Sequence, residues 1–87
     1  MPAPGSASIE QGVIDVLTNV SRRPIEPTAS SDLVADLGFD SLQVLEVIAE
    51  LEDRFEIAIP LDHVSTTRTV AQVVAQVAAL VGERHAG

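Results

Sequence analysis

Hydrophobic positions along the chain recur with helical spacing in three stretches, and no β-hairpin signal competes with them. In the first, Ile9, Val13, Val16, Leu17 and Val20 fall at i, i+4, i+7, i+8 and i+11, which predicts a helix over about 9–20 with one apolar stripe. Ser8 and Gln11 have capping-box spacing at its start, and Arg22, Arg23 and Pro24 follow its end. In the second, Val44, Val47, Ile48, Leu51 and Phe55 share one side of a helix running from Ser41 to about Phe55. Asp40 is a good N-cap there, and Gln43 completes an Asp-x-x-Gln capping box. In the third, Val70, Val74, Val77 and Val81 form a stripe flanked by Val73 and Leu80. That helix starts near Thr69, with capping-box spacing to Gln72, and is expected to close at Gly82.

Between these stretches the chain is irregular. Residues 21–40 contain Pro24, Pro27 and the run Thr28-Ala-Ser-Ser31. Connections of this length are uncommon in small domains unless they serve a function. Ile25, Leu33, Val34 and Leu37 are expected to pin it to the core. Ile59-Pro60 marks an extended exit from the second helix, and a short turn over 61–64 leads to the last one. The predicted fold is therefore all-α, a small four-helix bundle of three main helices and one short one with a long first loop. One domain is expected over 8–82, with disordered tails at 1–7 and 83–87.

Composition narrows the function classes. The 87 residues carry 13 Asp and Glu against 5 basic residues, all Arg, for a net charge of −8. Only Phe39 and Phe55 are aromatic. A chain so acidic, with no Tyr or Trp for bases to stack on, does not suit nucleic acid. With no Cys there is no disulfide or thiolate metal site, and a reducing compartment is the natural reading. The start, Met1-Pro-Ala-Pro-Gly-Ser-Ala-Ser8, has neither a basic n-region nor an apolar h-region. The most apolar stretch, 70–81, is interrupted by Gln72 and Gln76 and falls short of the roughly 20 residues that span a bilayer. These features lead us to expect a soluble, cytoplasmic monomer with no membrane insertion. Met1 and the short closing tail favour a discrete protein.

The acids are concentrated. Asp32, Asp36, Asp40, Glu46, Glu50, Glu52, Asp53, Glu56 and Asp62 meet only Arg54 within their span, whereas the remaining four acids are matched by four arginines. A solvated acidic face would explain the run by itself. The helical wheel adds more. Leu42, Leu45 and Ala49 lie opposite the core side of the second helix, with Glu46, Glu52 and Asp53 among them. An exposed apolar strip with a carboxylate rim has the anatomy of a transient docking surface, and its partner should be basic.

Asp40-Ser41-Leu42 stands where the long loop meets that helix. Ser41 then occupies the first helical position, beside free backbone N–H groups, where an anion attached to its hydroxyl would meet the positive end of the helix dipole. Ser41 does not suit a hydrolase nucleophile. Phe39 and Gln43 stand where the nucleophile elbow needs glycines, and the two histidines, His63 and His85, are isolated. His63 is expected at the surface of the short third helix. Asp36, Gly38 and Asp40 lack EF-hand spacing, so no dedicated metal site and no catalytic residue is expected.

Asp36-Leu37-Gly38-Phe39-Asp40-Ser41-Leu42 resembles the attachment motif of acyl carrier proteins, the small helical domains of fatty acid and polyketide synthesis. Glu46, Leu51-Glu52, Phe55, the Ile59-Pro60 pair and the opening Thr69-Val70 also fall as in that family, so the resemblance covers about residues 8–82. It implies a non-catalytic carrier whose Ser41 hydroxyl bears 4′-phosphopantetheine, with acyl groups held on the arm's thiol as thioesters. It also implies a phosphopantetheinyl transferase and acyl-loading and acyl-processing enzymes as partners, docking through basic patches on Asp40, Leu42, Leu45, Glu46, Ala49, Glu52 and Asp53. An aromatic residue such as Phe39 is frequent at its place in polyketide carriers. The rival expectation is an unmodified adaptor that uses the same acidic helix only to hold a basic partner.

Overall fold

The computed structural model describes residues 6–86 and contains four helices: α1 (Ser6–Val20), α2 (Ser41–Phe55), α3 (Leu61–Val64) and α4 (Val70–Ala86). The chain is all-α. The only β-type pairing among the described residues is an isolated antiparallel bridge between Asp32 and Thr69. α1 packs against both α2 and α4. The whole predicted stripe of α1 is buried, with Val13 and Leu17 sealed from solvent, and it meets Val47 and Leu51 of α2 and Val70, Val73 and Val77 of α4.

The helix starts follow local chemistry. The Asp40 carboxylate accepts the Gln43 N–H at 2.8 Å while the Gln43 side chain accepts the Asp40 N–H at 3.2 Å, which completes the expected capping box. The same reciprocal pair joins Thr69 and Gln72 before α4, at 3.2 and 3.0 Å. At its other end α2 stops at Glu56, in the left-handed region at φ 55°, whose N–H donates to the Glu52 carbonyl.

Several boundaries differ from the sequence expectation. α1 begins at Ser6 rather than Ile9, so Ser8 is inside the helix and caps nothing; Gln11 instead donates to Asp15 at 3.0 Å. Gly82 does not close α4. Only Gly38 among the described glycines has a positive φ, and the helix formers Glu83, Arg84 and Ala86 carry α4 onward to Ala86. Residues 6–7 and 83–86 are therefore helical where tails were expected, and 1–5 and 87 lie outside the described residues. In α4 the buried row runs 70, 73, 77 and is deepest at Val77, so Val73 faces the core and Val74 is only half-buried.

The long loop is held by backbone hydrogen bonds to the start of α4. Leu33 N–H donates to the Arg68 carbonyl at 2.9 Å, Val70 N–H to Ser31 at 3.0 Å and Ala71 N–H to Ala29 at 2.9 Å. Residues 32–38 coil into a turn that Asp32 caps by accepting the N–H groups of Val34 and Ala35, while Asp36 accepts that of Asp32 at 2.7 Å. The turn buries Leu33 and Leu37 as expected but leaves Val34 60% exposed, since three neighbours on one turn cannot all face inward. Phe39 takes the vacated role at 2% exposure.

Candidate functional site

The turn over 32–38 ends at Gly38, whose φ of 75° lets the chain reverse and deliver Asp40 to the head of α2. With Phe39 anchored in the core on one side and the capping box closed on the other, Ser41 is exposed on a fixed support. The Gln43 side chain also reaches the carbonyl of Val20 at 3.5 Å, which ties the head of α2 to the end of α1.

Ser41 opens onto a groove of about 880 Å³ between the 32–35 turn, the first turns of α2 and the 64–68 segment. Val34, Val44, Leu45 and Val64 give it an apolar face; Ser65, Thr67 and Arg68 lie on its other wall. Asp32, at the rim, is held below the usual carboxylate range, mainly by the Ala35 N–H bond, with the Val34 N–H bond and the Arg68 charge adding to it against a desolvation cost.

The exposed strip of α2 is where the wheel put it. Leu42 is 62% and Leu45 51% exposed, Ala49 and Asp53 are also exposed, and Glu46 is half-buried beside them. Leu45 borders the Ser41 groove. Glu46 and Ala49 instead border a second, shallower groove of about 500 Å³ shared with Asn19 and Arg22, near the end of α1. Glu52 does not belong wholly to the rim. Its Oε2 accepts the Ile59 N–H at 2.8 Å and so fastens the Ile59-Pro60 exit to α2. His63 is half-buried rather than at the surface, its Nδ1 in contact with the Gln76 amide of α4.

Sequence reasoning missed Val34, Val64, Thr67 and Arg68 as groove residues. Val34 carried a misleading signal, since its hydrophobicity argued for burial. Arg68 carried none.

Residues 11–77 match the family model described as phosphopantetheine attachment site, which is most of the chain. The protein belongs to the acyl carrier protein family. An acyl carrier protein of Amoebophilus asiaticus is 41% identical over 69 residues, covering 78% of this chain and 86% of that protein. One from Streptomyces coelicolor is 32% identical over 88 residues, 94% and 96% of the two chains. A Mycobacterium tuberculosis structure assigned as an acyl carrier protein superposes with a TM-score of 0.78 at 38% identity, covering 82% of this chain and 96% of that one. A 53-residue stretch is also 43% identical to part of the 3-methylorcinaldehyde synthase of Talaromyces stipitatus, 2% of that far longer protein.

Domains of this family carry 4′-phosphopantetheine covalently; they serve as carriers rather than catalysts and work with phosphopantetheinyl transferases and acyl-processing enzymes. The residues present fit the group. An exposed hydroxyl stands at a helix head with a groove beside it, as a tethered phosphodiester arm requires. No helix among the described residues is long and apolar enough to cross a membrane.

Proposed function

We propose that this protein is a non-catalytic acyl carrier, a cytoplasmic monomer whose Ser41 hydroxyl receives 4′-phosphopantetheine and which serves a fatty acid, polyketide or related pathway. The observation that carries the reading is the placement of Ser41: exposed, first in α2, behind a complete Asp40–Gln43 capping box and open to the groove. The arm supplies a thiol that holds the acyl group. The protein's own residues hold the attachment point still, keep the new anion at the positive end of α2, and offer an address to enzymes. That address is Leu42, Leu45 and Ala49 with Glu46 and Asp53, reached from a basic partner surface that opposite potential steers into register. Asp40 contributes chiefly by capping, and Glu52 with whichever oxygen Ile59 leaves free. Tethering raises the effective concentration of the cargo at each enzyme without any tight complex.

Incubation with coenzyme A, Mg²⁺ and a broad-specificity phosphopantetheinyl transferase should add the mass of one phosphopantetheinyl group, mapped to Ser41. Ser41→Ala should abolish the gain and keep the fold, because Ala is a strong helix former and Asp40 still caps. With no Cys in the chain, a thiol reagent should label the modified protein and ignore the unmodified one. Failure to gain the mass, with a known carrier modified in the same tube, would hand the protein to the adaptor reading.

A further inference from the structure

We infer that Arg68 selects the acyl cargo, favouring an acyl group that ends in a carboxylate over a plain alkyl chain of the same length. The inference rests on Ser41 as the point of attachment.

Of the donors around the groove, one is left uncommitted. On its polar wall, Ser65 Oγ already donates to the Asp62 carbonyl at 3.0 Å, and Thr67 Oγ1 to the His63 carbonyl at 2.6 Å. Their protons serve the turn itself. The Arg68 guanidinium makes no hydrogen bond and no close ion pair among the described residues. Asp32 lies near enough to feel its charge, but its Oδ1 is engaged by the N–H groups of Val34 and Ala35 and neither of its oxygens pairs closely with Arg68. Arg54 pairs with Asp15 at 3.2 Å, Arg23 lies across Gly38, and Arg22 borders the second groove, away from Ser41. In a protein of net charge −8, the groove beside Ser41 therefore holds a cation with its fork of N–H groups still open.

A guanidinium matches a carboxylate with two parallel hydrogen bonds. An alkyl end would offer it nothing and would strip water from it if packed close. Val34, Val44, Leu45 and Val64 can take the methylenes of either cargo, so discrimination falls to the chain end that meets Arg68.

The test compares two acyl-pantetheine arms of equal length, one ending in methyl and one in carboxylate, loaded on ¹⁵N-labelled wild type, Arg68→Gln and Arg22→Gln. Mass analysis first confirms one arm on Ser41. In the wild type the carboxylate arm should shift the Arg68 Nε–H and the 65–68 amides, while the methyl arm leaves Arg68 unmoved. Arg68→Gln should lower the groove-bound fraction of the carboxylate arm roughly two- to five-fold, the size of an exposed charge pair, and high salt should do the same. Arg22→Gln removes an equal charge from the second groove and should change neither arm. Equal shifts from both arms, equal losses in both arginine variants, or an Arg68→Gln effect shared by both cargoes would overturn the inference and leave the carrier reading intact. Arms that never appear on Ser41 would overturn the carrier reading and this inference with it.

Discussion

A Cβ built on Gly12 would lie 2.6 Å from Cζ of Phe55, so the ring that ends α2 rests directly on the backbone of α1. Gly12→Ala should therefore destabilise the fold despite the better helix propensity of Ala, which is worth at most about 1 kcal/mol. The overpacking should cost about 1–3 kcal/mol. Denaturant midpoint should fall with the slope unchanged. Phe55→Leu added to Gly12→Ala should restore part of the loss, a coupling that a double-mutant cycle would measure.

The two faces of α2 should separate under mutation. Leu45→Ala and Glu46→Lys should slow acyl transfer to and from partner enzymes and leave helicity intact. Leu51→Ala, at a position sealed from solvent, should cost about 2–5 kcal/mol of stability. Circular dichroism and a transfer assay on the same preparations distinguish the two. Unfolding by Leu45→Ala would sink the assignment.

Asp32 gives the acid limb of the stability curve a definite sign. Its folded pKa is depressed, so its contribution is fully present above the unfolded aspartate value and is lost as pH falls through the folded one. Asp32→Asn should flatten that part of the curve and leave the neutral region nearly parallel to the wild type. An acid limb as steep as before would show that the Ala35 and Val34 bonds do not depend on the charge.

Nine acids from Asp32 to Asp62 with Arg54 alone among them repel one another at low salt. Thermal midpoint should rise with added salt, and more steeply with millimolar Mg²⁺ or Ca²⁺. A midpoint indifferent to both would mean that the repulsion is already relieved in the fold.

What could be read in advance follows a physical division. The α1 stripe, both faces of α2 and the capping boxes at Asp40–Gln43 and Thr69–Gln72 depend on spacings within one helix, and sequence displays those directly. The fastening of Ile59 to Glu52, the contact of His63 with Gln76 and the Asp32–Thr69 bridge join segments whose relative placement no periodicity reveals. The exchange of Val34 for Phe39 in the core is of the same kind. Both are hydrophobic, and only the direction of the turn decides which one is covered. The place of Ser41 at the head of α2 was legible because the capping signal is local, whereas the groove beside it is assembled from three separate stretches of chain.

The backbone bonds from residues 29–33 to residues 68–71 impose an order in time on a chain leaving the ribosome. The Leu33 N–H and the carbonyls of Ser31 and Ala29 lack these partners until Arg68, Val70 and Ala71 have been made. The serine is translated well before them, yet the loop behind it is fastened only after the first residues of the last helix emerge. A nascent chain arrested before Arg68 would carry the whole attachment motif with the loop behind it unfastened. Such a chain should be a poor substrate for any transferase that reads shape as well as sequence, which would delay modification until the head of α4 has been made.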